Sequence, residues 1–254
     1  MKKILLALIV QAYLLSITGC AGSGASGKEN LAQTNVSPPL SAEETRVQAD
    51  FQTSVPKGFN ALSAPGADKA KIIKDYFDPA LKYYEDKYGH SNTKVFCANS
   101  KETALIYALK GYTEKRETLV LDKTWADAAY AKGYALLELG NVSEAKHYLA
   151  KALELSPNDA FYHWEMGQVL QREKNWPEAL ASFKSAIEMS GYEEPLAKAT
   201  VEASSERSMG YALTEMGRLE EAEAIYRQRL AKDPNDQKSL GELGYVQKLR
   251  REQR

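Results

Sequence analysis

Cys20, Cys97, His90, His147 and His163 are the residues of this 254-residue chain best suited to nucleophilic or metal chemistry. His90 lies seven residues before Cys97, and an imidazole beside a thiol can generate a thiolate nucleophile. Cys97, however, closes the apolar run Val95-Phe96-Cys97, where a lone cysteine more often serves as a small buried filler. No third orienting group or oxyanion signature accompanies the pair. His147 and His163 fall on separate helical segments without metal-ligand spacing, and no glycine loop of the phosphate-cradling kind occurs. The expectation is a chain that catalyses nothing and carries no cofactor or metal. The formal net charge is −1, and beyond Lys2 and Lys3 the chain carries 31 basic against 34 acidic side chains. That balance offers no basic face to nucleic acid.

Cys20 has a different context. Lys2 and Lys3 precede an apolar stretch, Ile4 to Leu15, broken only by Gln11 and too short to span a bilayer. It ends in Ile17-Thr18-Gly19-Cys20, which resembles the lipobox of bacterial lipoproteins. The resemblance implies a signal peptide over 1–19, removed before Cys20, and acylation of the Cys20 thiol and its new amine. A single acyl chain anchors only marginally, and each buried methylene adds about 0.8 kcal/mol, so three chains would hold firmly. The expected location is the bacterial cell envelope, lipid-anchored and facing the periplasm. Ala21 in place of Asp favours the outer membrane, by resemblance to enterobacterial sorting.

Residues 20–66 then read as the lipidated cysteine and a flexible linker. Gly, Ser, Ala, Pro, Gln, Asn and Thr dominate it, and Phe51 and Phe59 are nearly its only rings, too little apolar area to offset ordering entropy. Ser41 and Glu44 form a capping-box pattern, so a short helix over Ser41 to Phe51 is compatible with it. Residues 67–125 read as a small helical or α/β unit. Ile72, Ile73, Tyr76, Phe77, Leu81 and Tyr84 recur at helical steps, with a bend expected at Pro79 and a stop at Gly89. Thr93 to Cys97 and Leu119 to Leu121 are strand-like, and the helix between them is expected to turn Leu105, Ile106 and Leu109 inward. Two readings stay open: a β-α-β accessory unit, or an imperfect first helical repeat.

Residues 126–254 decide the fold class, which is mainly α. Gly133, Ala145, Ala152 and Pro157 recur thirty-four residues later as Gly167, Ala179, Ala186 and Gly191, and again as Gly210, Ala222 and Pro234 after a nine-residue insertion around Glu194 to Glu202. Large residues follow in register at Leu149, Phe183 and Tyr226, and a last half-unit begins at Gln237 with Leu243-Gly244. This pattern resembles tetratricopeptide repeats, and the chain is identified with tetratricopeptide-repeat lipoproteins. The resemblance implies a helix-turn-helix solenoid of about three repeats plus a capping helix. Lys132 and Arg229 stand where the family usually has Leu and Ala.

What the resemblance implies for binding is a concave face lined by the first helix of each unit. Its fifth positions are Tyr130, Trp164, Arg207 and Gly241, its ninth Tyr134, Gln168, Tyr211 and Tyr245; Phe161, Arg172, Asp127, Leu137, Glu138 and Glu215 flank them. Rings with a polar tip, and arginine, are what protein-binding hot spots favour. The family's carboxylate clamp is not matched, since Tyr130, Ala131 and Tyr134 occupy positions where it needs Lys and Asn. The expected function is a membrane-anchored scaffold that binds a protein or peptide partner in the envelope. A self-associating structural lipoprotein, as a homo-oligomer, is the alternative, and a Cys97-dependent enzyme the remote third.

Overall fold

The computed structural model describes residues 41–253; the signal segment and Cys20 lie outside the described residues. The chain enters on α1, Ala42–Leu62. Ser41 Oγ accepts from the Glu44 N–H, and the Glu44 carboxylate accepts from the Ser41 N–H, the reciprocal cap the sequence shows. The helix runs far beyond Phe51, so the flexible reading of 20–66 is corrected over 42–62, and residues 20–40 lie outside the described residues. Composition misled because the few large side chains fall on one stripe. Phe51, Val55, Phe59 and Leu62 follow at steps of three and four and pack into the core, while Pro56, which reads as a breaker, sits on the exposed side.

α1 turns back on a second helical run made of α2, Lys69–Ile72, a wider π-helical turn, Ile73–Phe77, and α3, Asp78–Tyr88. The π turn ends where Pro79 follows, and a widened turn relieves the clash a proline ring makes with the carbonyl four residues back. A Cβ at Gly58 would lie 2.8 Å from the Phe77 ring. This hairpin is an irregular unit that precedes the recognised repeats. Both of its arms pack on the first helix of the array.

Next come β1, Lys94–Ala98, α4, Lys101–Thr113, and β2, Thr118–Asp122. The strands are parallel, with Lys94 opposite Thr118 and Ala98 opposite Asp122. The accessory β-α-β reading therefore holds for this segment, and the imperfect repeat lies before it. α4 buries Thr103, Tyr107 and Gly111, not the expected Leu105, Ile106 and Leu109, which are half-exposed. The Tyr107 ring stacks on Phe96 at 4.8 Å, and Gly111 lets the helix close onto Thr118. A two-stranded sheet offers the helix only a narrow floor, which three residues one turn apart fill.

The array consists of α5, Thr124–Glu138, α6, Val142–Leu155, α7, Ala160–Arg172, α8, Trp176–Met189, α9, Pro195–Glu215, α10, Leu219–Lys232, and α11, Gln237–Glu252. α5–α6, α7–α8 and α9–α10 are the three hairpins. Each first helix ends on a left-handed residue, Gly140, Lys174 or Gly217. The next N–H then donates back to Leu136, Leu170 or Leu213 at 2.9 Å, closing the same turn three times. Across each hairpin a glycine meets a large side chain. A Cβ at Gly133 would come within 2.8 Å of Leu149, and at Gly167 or Gly210 it would overlap the rings of Phe183 or Tyr226. Leu149, Phe183 and Tyr226 are completely buried, worth about 2–3 kcal/mol each by area. The nine-residue insertion lengthens α9 at its start, where Val201 packs against Ala160 and Ala186.

Two of the three departures from the repeat pattern, Lys132 and Arg229, have partners, and the third is Gly191 in place of proline. Lys132 donates to Asp78 at 2.6 Å and to the Tyr148 hydroxyl at 2.9 Å, tying the first repeat to the preceding hairpin. Arg229 lies 3.5 Å from the buried Glu206 and 3.4 Å from Asp236. Arg250 pairs with Glu223 and, at 3.0 Å, with Glu220, closing α11 onto α10.

Gly167→Ala is expected to lower the urea midpoint, at a cost of about 1–3 kcal/mol from overpacking. Gly244→Ala should hold or raise it, since nothing lies within 4 Å of that position and alanine is favoured over glycine in a helix by about 1 kcal/mol. Equal effects of the two substitutions in chemical denaturation would contradict the packing account.

Candidate functional site

α1, α5, α7, α9 and α11 pack in succession, and the residues that repeat position assigns to the expected inner face divide into those wedged between helices and those left open. Tyr130 stacks on Tyr162 at 4.9 Å and meets the Phe59 ring at 5.7 Å. Burial raises its phenol well above the usual value. Tyr134 is half-buried against Phe59 at 6.0 Å. Phe161 and Trp164 pack against the cluster of Ala160, Ala186 and Val201, and the Trp164 indole N–H is buried without an acceptor among the described residues. Leu137 is buried, at 2% exposure. These side chains belong mainly to the interior.

The charged members are held in place. Arg172 donates to the Leu137 carbonyl at 2.9 Å and approaches Glu138 at 3.7 Å. Arg207 pairs with Asp236 at 2.8 Å and reaches Ser204 at 3.3 Å. Asp127 accepts from the Tyr162 hydroxyl at 2.5 Å. Gln168 donates to the Ser208 hydroxyl at 2.9 Å and Gln171 to the Ser208 carbonyl at 3.1 Å, bridging α7 and α9. Gly241 is open, with nothing within 4 Å of a Cβ built there.

What stays open is the far end. Tyr211 is 43% and Tyr245 52% exposed, with Tyr211 set edge-on to Trp176 at 6.0 Å. Glu215 is exposed one turn after Tyr211, and Glu242 half-exposed three residues before Tyr245. Of the residues marked by repeat position, then, the structure leaves Tyr211, Tyr245 and Arg172 most exposed, Arg172 while it donates to the Leu137 carbonyl, keeps Tyr134 and Gln168 partly so, and sets Tyr130, Phe161, Trp164 and Arg207 into contacts between helices. Repeat position names the face but not which side chains the next repeat covers.

Two participants escaped the sequence reading. Phe59 on α1 extends the inner row ahead of Tyr134, and its helical spacing from Val55 and Leu62 was the available signal. Glu165 is buried at 3% exposure with Oε2 lacking a hydrogen-bond partner among the described residues. Desolvation, then the charge of Glu138, pushes its carboxyl up to about 7, with Arg172 acting the other way. No sequence signal marked it.

Cys97 is 1% exposed on β1, and burial pushes its thiol far up. This cysteine lacks both the access and the thiolate a nucleophile needs. Among the described residues no helix is long and apolar enough to cross a membrane, and no group of three or more His, Cys, Asp and Glu is placed to hold a metal ion.

Comparison with known proteins fits this geometry. Residues 130–194 and 207–238 match models of the tetratricopeptide repeat. No curated protein matches the chain. Similar solved structures include a MamA form described as MSR-1 C2, at 13% identity and a TM-score of 0.49, covering 80% of this chain and 86% of that one. MamA 41-end from Desulfovibrio magneticus RS-1 is 22% identical with a TM-score of 0.43, covering 73% and 86%. The first tetratricopeptide domain of Spaghetti (RPAP3), bound to an HSP90 peptide, is 20% identical with a TM-score of 0.44, covering 50% and 94%.

The raised Glu165 fixes a pH dependence. The folded carboxyl titrates near 7 and the unfolded one near 4.5, so the folded state holds the proton longer. Stability is unaffected below the unfolded value, falls as pH rises from about 4.5 to 7, and then levels, a loss on the order of 3 kcal/mol. Glu165→Gln should flatten this part of the curve and stabilise the protein at pH 8. Parallel wild-type and variant curves in urea titrations at pH 5, 6, 7 and 8 would refute the assignment.

Proposed function

We propose that this chain, a tetratricopeptide repeat protein, is a scaffold that holds another protein of the cell envelope on its inner face, tethered to a membrane through an acylated Cys20. Repeats of this kind serve binding rather than catalysis, and the one observation that carries the reading is the treatment of its rings. Tyr84, Tyr107, Tyr162, Tyr226, Phe77 and Phe183 are fully buried, yet Tyr211 and Tyr245 stand open, Tyr211 on α9, which Gly210 seats against Tyr226, and Tyr245 on α11, which Arg250 ties to α10. A rigid amphipathic ring presented to solvent loses little entropy on binding, which suits it to a partner hot spot. The lipid anchor rests on Ile17-Thr18-Gly19-Cys20 and the charged, apolar stretch before it. Ala21 supports the outer membrane as the destination and hence assistance to an envelope assembly as the role.

Cys20→Ser should move the protein from the detergent phase to the aqueous phase on Triton X-114 partition of bacteria that express it, and should abolish the mass of the acyl chains on the mature N-terminus. An unmodified Cys20 in the wild-type protein would end the anchoring proposal. For the binding face, a photo-crosslinking residue at Tyr245 in the anchored protein should yield a discrete adduct that is lost when Tyr211→Ala is added. Adducts whose mass equals two copies of this chain would assign the face to self-association instead.

A further inference from the structure

Tyr211 and Tyr245 come from α9 and α11, which pack against one another, and two carboxylates accompany them. Glu215 lies one turn after Tyr211, and Glu242 three residues before Tyr245. The Tyr211 phenol is raised by partial burial, then by Glu215, Glu242 and Tyr245 in that order, so the four groups converge on one patch. The buried acids of α9, α10 and the cap of α11 are matched: Asp236 with Arg207 at 2.8 Å, Glu206 with Arg229 and Lys232, Glu223 with Arg250 and with Arg227 at 2.7 Å. Glu215 and Glu242 have no ion-pair partner among the described residues. The lysines of α11 do not neutralise them: Lys248 leans toward Glu252 at 3.9 Å, and Lys238, one turn before Glu242, makes no ion pair among the described residues. The charges that reach Tyr211 are thus both negative, beside two open aromatic rings.

We propose that this end of the inner face seats a basic side chain of the protein partner, an arginine or lysine laid against the Tyr211 and Tyr245 rings with its charge between Glu215 and Glu242. The proposal rests on the inner face being the partner surface and adds the chemistry of what it accepts. Aromatic faces attract a cation through their quadrupole, and exposed sites of this kind gain most from a guanidinium, which is weakly hydrated and planar. The carboxylates add charge-assisted hydrogen bonds. A patch of two rings and two unmatched acids disfavours an acidic segment by the same terms.

Fluorescence anisotropy at about 0.15 M salt can test this with the full chain and three labelled twelve-residue peptides: one alternating arginine with alanine, and counterparts with glutamine or glutamate in place of arginine. The arginine peptide should bind about tenfold tighter than the glutamine peptide, and the glutamate peptide weakest. Tyr211→Ala with Tyr245→Ala, and separately Glu215→Lys with Glu242→Lys, should each erase the preference, whereas Tyr211→Phe with Tyr245→Phe should keep it. Circular dichroism should be unchanged in every variant, because none of the four side chains is buried. Equal binding of the arginine and glutamine peptides, no binding of any peptide, or an arginine preference that survives the double variants would overturn the proposal. If the glutamine peptide binds as well and loses affinity with Tyr211→Ala, the inner face stands as a partner surface while its basic specificity falls. If peptides bind but ignore the tyrosines, the face itself is wrong.

Discussion

Close approach of a side-chain-free backbone to a large buried side chain is the constraint from which the rest of this molecule follows. At Gly133, Gly167 and Gly210 the first helix of a hairpin has no Cβ, and Leu149, Phe183 and Tyr226 of the second helix occupy that space. The contact fixes how deeply the two helices nest, and the left-handed turns at Gly140, Lys174 and Gly217 fix where they start. With depth and register set, each hairpin presents an apolar back to the next, and only stacking buries it. The inner face is a consequence: it is the side of the first helices that neither the hairpin partner nor the following unit needs.

The same contact recurs outside the recognised repeats. Gly58 closes onto Tyr76 and Phe77, so the hairpin of residues 42–88 does structurally what a repeat does, with a longer turn and a π-helical widening before Pro79. It brings Phe59 alongside Tyr130 and Tyr134 and thereby covers the start of the inner face. At the other end α11 leaves Gly241 and Gly244 with nothing within 4 Å of a Cβ among the described residues, and Tyr245 is 52% exposed. The face is therefore asymmetric, closed at its beginning and open at its end, and the exposed rings and unmatched acids gather where it is open.

Electrostatics follows the packing rather than leading it. Lys132 and Arg250 stand at seams between units and are matched there by Asp78 and Glu223, while Arg229 is matched by Glu206 within its own hairpin and by Asp236 at the start of α11. Partly buried pairs of this sort are costly to break, because the remaining charge is left without a partner. Glu165 shows the reverse case, a carboxyl buried between first helices whose charge lacks a full set of partners and which holds its proton to about pH 7. Exposed pairs such as Lys82 with Asp86 contribute little by comparison.

Amino-acid order alone determined the thirty-four-residue register, the small and large residues that set it, the cap at Ser41 and Glu44, and the strands on either side of α4. These are legible because each depends on neighbours within a turn or within one hairpin, where spacing is geometry. Tertiary structure decided the rest. Phe51, Val55, Phe59 and Leu62 become a core stripe only because α5 and the π-helical turn lie opposite them, and no local feature of a polar segment announces such a surface. The sequence likewise put Tyr130 and Trp164 at fifth positions, and Tyr211 and Tyr245 at ninth positions, of one expected face. Whether a ring at such a position is floor or open surface depends on the helix stacked beside it, and for Tyr130 that helix is supplied by residues more than seventy positions earlier in the chain.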